Sequence, residues 1–219
     1  MLNIQRFICN PIRENTYVVS DETKECVIID CGAYYELEKE ALKNYIESNG
    51  LKVRHLIATH GHIDHNFGDK FVYDTWGVKP EAGTADDQLF KSMPEQAKAI
   101  CGIDNLTQDD FVCVGKCLDE HDTVDFGSHK FTVLETPGHS PGGLTYYCEQ
   151  ERVAFTGDTL FQGSIGRTDF EGGSMFMMLM SLRHLSQLPD DVRVFPGHGA
   201  ETTIGAEVAS IRISTGKAK

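Results

Sequence analysis

Apolar positions near the N-terminus come in three short bursts, at residues 2–8, 16–20 and 26–30, separated by turn chemistry at Asn10-Pro11 and Asp21-Glu22. Bursts of that length, rich in Ile, Val, Tyr and Phe, predict three strands of a meander. The period then lengthens. Between residues 34 and 48, Leu37, Ala41, Leu42, Tyr45 and Ile46 fall on one helical face, and Asn49-Gly50 supplies a stop. A buried strand is predicted at 53–59 and a short helix at 65–76, carrying Phe67, Phe71 and Val72. Residues 84–110 are polar, rich in Gln and Asp, and read as helical or irregular.

The second half repeats this order: strands near 130–135, 143–148 and 152–156, a helix at 174–187, a strand at 192–195 and a final helix beginning near Glu201. The Met-rich run from Met175 to Met180 lies inside the predicted helix and is read as core packing. Two runs of strands, each followed by helices, predict two mixed sheets packed face to face with helices outside. That is an α/β fold, a four-layer αββα sandwich. The 219 residues, 40% of them hydrophobic, fit a single domain over 1–219, and no shift in composition marks a linker.

Charge narrows the partners. With 33 acidic and 20 basic residues the net charge is −13, which repels nucleic-acid backbones and acidic membrane surfaces. A pair of bound divalent cations would still make one pocket positive inside an acidic exterior. The start of the chain carries Arg6 and Arg13 but no apolar signal segment, and no run of about 18 apolar residues occurs anywhere. A cytoplasmic, unexported protein is expected. Seven scattered cysteines in a chain of this length are expected to be reduced thiols. Cys113 and Cys117 have the spacing of a metal knuckle but lack a second paired element, and Cys31 is read as a small buried hydrophobe.

The densest chemistry is Thr59-His60-Gly61-His62-Ile63-Asp64-His65, directly after an apolar strand. On a continuous helix His60 and His62 would point about 200° apart, so to share an ion they must lie in a loop leaving the strand. Asp64 and His65, at the start of the next helix, then turn toward a second ion. Three further segments place one ligand-type residue each after a strand: Pro137-Gly138-His139, Gly157-Asp158-Thr159 and Pro196-Gly197-His198-Gly199. Their glycines and prolines suit sharp turns and close backbone approach to a crowded centre. Together these segments hold five histidines and two aspartates, a ligand mix suited to zinc, iron or manganese. His55, His121, His129 and His184 match no ligand motif.

With these motifs the chain resembles the metallo-β-lactamase superfamily and, within it, the glyoxalase II-like hydrolases, over nearly its whole length. The resemblance implies the αββα fold and two divalent metal ions, zinc first, with iron or manganese as alternatives. It implies that His60, His62 and His139 hold one ion, that Asp64, His65 and His198 hold the other, and that Asp158 bridges them. Asp64 and Asp158 would be the carboxylates of the catalytic centre. Glyoxalase II enzymes proper add a C-terminal helical domain that helps to bind glutathione, whereas this chain ends about twenty residues after His198. The segment Gly163-Ser164-Ile165-Gly166-Arg167-Thr168-Asp169-Phe170 looks like that of short glyoxalase II-like proteins and also like that of persulfide dioxygenases. The segment Pro196 to Gly205 is closer to the hydrolases. The principal di-zinc β-lactamases have cysteine in place of Asp158, and flavodiiron proteins have glutamate in place of His62.

Such a site predicts hydrolysis of a small thioester, for example of the hydroxyacylglutathione type. Two cations sharing one water lower its pKa toward neutrality, and a thiolate, with a thiol pKa of about 8.5, leaves without a proton donor. Arg167 is a candidate to bind a substrate carboxylate, or equally to pair with Asp169 and brace its loop. Asp30 either orients a ligand histidine or caps a turn. Two other function classes compete: an iron-dependent persulfide dioxygenase and a non-catalytic metal-binding module.

Overall fold

The computed structural model describes residues 1–208. The N-terminal meander forms as expected, with β1 (Asn3–Cys9), β2 (Glu14–Ser20) and β3 (Glu25–Ile29) pairing antiparallel. Helix α1 (Glu36–Ser48) crosses over, and β4 (Lys52–Ile57) returns parallel to β3. After α2 (Asp69–Trp76), the short parallel strands β5 (Pro80–Gly83) and β6 (Lys116–Leu118) complete a six-stranded sheet in the order β1-β2-β3-β4-β5-β6. The second sheet contains β7 (Thr123–Phe126), β8 (His129–Glu135), β9 (Leu144–Cys148), β10 (Val153–Gly157), β13 (Arg193–Pro196) and β14 (Thr202–Thr203). Its order is β14-β13-β10-β9-β8-β7, with β10 and β13 parallel and every other pair antiparallel. A two-stranded ribbon, β11 (Leu160–Phe161) with β12 (Ser164–Ile165), stands apart.

Alternation along the strands builds the layers. In β2, Tyr17 and Val19 face the space between the sheets, where they meet Ile29, Phe131, Tyr146 and Phe155. Val18, one residue out of phase, points outward with Ile28 and Leu56 onto Leu42 and Ile46 of α1 and Val72 of α2. On the far side, Leu134, Ala154 and Val194 receive Met178, Leu182 and Leu185 of helix α5 (Met175–Leu185). Each large apolar side chain buried in this way contributes about 1.5–3 kcal/mol. The result is the four-layer αββα sandwich.

Several local expectations need correction. Strands β5, β6 and β7 add to the expected elements; each has at most four residues, too few to display alternation. Leu37 is 79% exposed, since the sheet-facing stripe of α1 is set by Leu42 and Ile46. The methionine run is not core: Met178 is buried, but Met175, Met177 and Met180 are exposed, because only positions in step with Leu182 and Leu185 face the sheet. The helix placed at 65–76 starts at Asp69, behind a tight turn at Ile63–His65. The polar region 84–110 contains α3 (Asp87–Lys91) and α4 (Met93–Cys101), whose Phe90, Met93 and Ala97 pack on Ala58, Ile63 and Phe67. The final helical residues begin at 204, after β14, and the rest of that expected helix lies outside the described residues. Among the described residues no helix is long and apolar enough to cross a membrane.

Candidate metal centre

Each expected ligand follows the C-terminal end of a strand. His60, His62, Asp64 and His65 follow β4, His139 follows β8, Asp158 follows β10 and His198 follows β13. The two sheets bring these ends to one edge of the sandwich, and the side chains meet there in two sets. His60, His62 and His139 place ligand atoms within 4.8 Å of one another, as do Asp64, His65 and His198. Asp158 lies between the sets, with Oδ1 3.4 Å from His65 Nε2 and Oδ2 3.5 Å from His139 Nε2 and 3.7 Å from His198 Nε2.

The cluster is incomplete as a purely protein network. His60 Nε2, His65 Nε2 and Asp158 Oδ1 are buried without a hydrogen-bond partner, a costly arrangement unless something else satisfies them. His62 Nδ1 and His139 Nε2 approach to 2.8 Å, with His139 Nδ1 already donating to the Arg167 carbonyl at 2.7 Å, so the His139 lone pair faces its neighbour. Imidazole nitrogens and carboxylate oxygens arranged in this way fit divalent metals of the zinc, iron and manganese kind.

Charge on the imidazoles is divided. Burial and the neighbouring rings push His60 far down, and they push His62 down to about 4. Burial also opposes charge on His65 and His198, but the carboxylates of Asp64 and Asp158 overcome it and raise both, His65 strongly with Asp30 adding to the effect. Buried Asp158 is nevertheless held well below the usual carboxylate range by His65, His198 and His139.

Positioning groups surround the ligands. Asp30 accepts from the Thr59 backbone N–H at 2.6 Å and the Thr59 hydroxyl at 2.8 Å, and its Oδ2 lies 2.9 Å from His65 Nδ1, which presents Nε2 to the cluster. Its backbone sits in the left-handed region (φ 51°), strain that the surroundings must hold in place. The structure therefore shows Asp30 paired with His65, the first of the two roles expected for it, as well as with Thr59. Asp86, which the sequence did not single out, ties two ligand loops together: buried, it accepts from the Gly61 and Gly142 backbone N–H groups and the Ser140 hydroxyl. Asn66 donates to the carbonyls of His60 and His62. Neither residue belongs to a recognisable motif, because its role depends on contacts between loops. A Cβ on Gly197 would lie 2.4 Å from Asp158 Oδ1 and 2.5 Å from His65 Cε1, the close approach expected of a glycine here.

A cleft of about 390 Å³ opens over the cluster, walled by Ile12, Ile100, Phe161 and Phe170. Arg167 lines it but makes a two-pronged pair with Asp169, at 2.7 and 2.8 Å, and lies 4.1 Å over the Phe170 ring. Cys113 and Cys117 are exposed and belong to no metal-type group among the described residues, while Cys31 is buried. His129 is buried between Asp21 and Glu151, far along β8 from His139.

The chain is similar to known proteins over nearly its whole length. The chain is 36% identical over 215 residues to hydroxyacylglutathione hydrolase GloC of Haemophilus influenzae, covering 95% of this chain and 96% of that protein. It superposes on the crystal structure of BLEG-1 B3 metallo-β-lactamase with a TM-score of 0.85 and 32% identity, over 97% of this chain and 100% of that one. TTHA1623, solved in a di-iron-bound form, gives a TM-score of 0.81 and 32% identity over 93% and 96% of the two chains. The sequence profile of the superfamily itself matches residues 9–198, from the end of the first strand to His198, so this chain belongs to the metallo-β-lactamase superfamily.

Proposed function

We propose that the chain is a two-metal hydrolase of small thioesters, of the hydroxyacylglutathione type. The observation that carries this reading is the pair of ligand sets with Asp158 between them and buried ligand atoms left without partners. Similarity to a protein named hydroxyacylglutathione hydrolase supports the substrate class. On this reading His60, His62 and His139 hold one cation, Asp64, His65 and His198 hold the second, and Asp158 faces both. When bound, such cations supply Lewis acidity and bring the pKa of water toward neutrality.

The remaining work falls to the chain. Asp30 and the Arg167 carbonyl take the Nδ1 protons of His65 and His139, which fixes the tautomers that present Nε2. The apolar side chains of Ile100, Phe161 and Phe170 offer the acyl group an apolar wall. Apart from the expected ligands, Arg167 is the one titratable group lining the described cleft, so it offers no separate proton donor. A thiolate needs none, since its conjugate acid has a pKa of about 8.5.

The test pairs metal analysis of the purified protein with a panel of S-lactoylglutathione, glutathione persulfide and a β-lactam. Two metals per chain and cleavage of the thioester are expected. One iron per chain with oxygen uptake on the persulfide would overturn the reading in favour of a dioxygenase. Bound metal without turnover of any of the three would make the chain a binding module.

A further inference from the structure

Beside the metal cleft lies a second hollow of about 300 Å³, which shares Ile12 and His198 with it and is lined also by Arg6, Arg13 and Asn15. The ligand set makes no use of either arginine. Arg6 spends one N–H on the Gly199 carbonyl, at 2.9 Å. Arg13 has no carboxylate partner among the described residues, although acidic side chains outnumber basic ones by 33 to 20. Arg167, the other arginine at the cleft, is already occupied by Asp169.

The loop that carries Arg13 is held rigidly against the ligands. The Asn10 side-chain amide donates to the carbonyls of Asp64 at 2.8 Å and Gly32 at 3.0 Å. Glu14 bridges to His198, and the Asn15 backbone N–H donates to Gly197 at 2.7 Å. Within the loop the Arg13 N–H donates to the Asn10 carbonyl, and both residues adopt left-handed backbone, φ 64° and 53°. Non-glycine residues persist there only where surrounding structure holds them. The loop backbone is thus fixed to both sides of the second ligand set, which sets where the exposed Arg13 side chain starts, at the rim of the hollow.

We propose that Arg13, with Arg6 lining the same hollow, receives a carboxylate on the thiol half of the substrate. A guanidinium fork matches a carboxylate in two-pronged geometry, and a volume of this size suits a peptide-sized carrier. The acyl half then points the other way, toward Ile100, Phe161 and Phe170. Half-exposed Ile8 and Ile12 give the carrier's aliphatic portion an apolar edge. The positive hollow also offsets the acidic exterior for an anionic substrate, so capture should weaken as salt rises. This inference rests on the thioester hydrolase reading.

Two measurements test it separately. Binding of S-methylglutathione, an unreactive thioether, is measured by calorimetry on the metal-loaded protein, and turnover is measured with S-lactoylglutathione and with an uncharged N-acetylcysteamine thioester. Arg13→Ala should weaken S-methylglutathione binding about tenfold and lower the preference for the charged over the uncharged thioester by a similar factor. Arg13→Lys should recover part of both. Lys130→Ala removes the same charge from an exposed position in β8 and should leave the preference as in the wild type. Equal losses on charged and uncharged substrates, or none, would overturn the subsite. A coenzyme A thioester as sensitive to Arg13→Ala as the glutathione one would overturn it in favour of phosphate recognition. Arg13-dependent binding with no thioester turnover would sink the hydrolase reading alone, and turnover and binding indifferent to Arg13 would sink the subsite alone.

Discussion

Two clusters of histidine and carboxylate sit at opposite ends of the same strands, and they differ in one respect. At the start of β8, His129 is buried with Nδ1 3.0 Å from Asp21 and Nε2 3.0 Å from Glu151. Asp21 also accepts from the backbone N–H and hydroxyl of both Thr23 and Ser128. No side-chain atom of Asp21, His129 or Glu151 is buried without a partner. Beyond the end of β8, the cluster around His139 is built from the same residue types, yet it leaves His60 Nε2, His65 Nε2 and Asp158 Oδ1 unsatisfied. Residue type therefore does not separate a structural network from a metal centre. Asp21, Glu22 and His129 also lie close enough together to hold an ion, and what distinguishes the two clusters is partnering: the first satisfies its own buried polar atoms, whereas the second leaves three ligand-type atoms open to a cation.

Substitutions at both ends can break this contrast. The largest effect is expected at Asp158, which faces both ligand sets: Asp158→Ala should lower thioester turnover by more than about 100-fold and reduce metal content, with the circular dichroism spectrum retained. Near-normal turnover would remove Asp158 from between the two ions. Asp30→Ala strips His65 of its orienting partner and should cost about 10- to 100-fold in metal affinity, read by competition with a chelator. At the other end, His129→Ala leaves the Asp21 and Glu151 carboxylates short of a partner, and a loss of roughly 1–3 kcal/mol in denaturant unfolding is expected. Metal content in that variant should match the wild type; a fall would show that the two ends are coupled. Smallest is Arg167→Ala: its ion pair with Asp169 is largely exposed and its loss should leave the unfolding midpoint nearly unchanged, so a marked rise in KM would instead assign Arg167 to substrate.

The ligand motifs were legible because metal chemistry demands particular residue types at particular spacings. His60, His62, Asp64 and His65 lie within six residues after an apolar strand, and His139, Asp158 and His198 each stand beside a glycine that marks a turn. Strands such as β2, β3 and β10 were legible for a similar local reason, since a sheet face buried over several residues writes itself into apolar bursts. The short strands β5 and β6 were not, because so few residues do not display a period, and 84–110, read as helical or irregular, gave no helix boundaries.

What the sequence determined by itself was thus the inventory of donors, the layered class of fold and the strand ends from which the donors leave. Which atoms remain unsatisfied, that Asp86 joins the His60–His62 and His139 loops, that Asp30 pairs with His65 and that Arg13 flanks His198 were decided only by the tertiary structure. Each of these depends on residues tens to nearly two hundred positions apart meeting at one edge of two sheets. Local propensity carries information over a turn or a strand, whereas partnering across that edge exists only once both sheets have packed and their hydrogen bonds have been shared out.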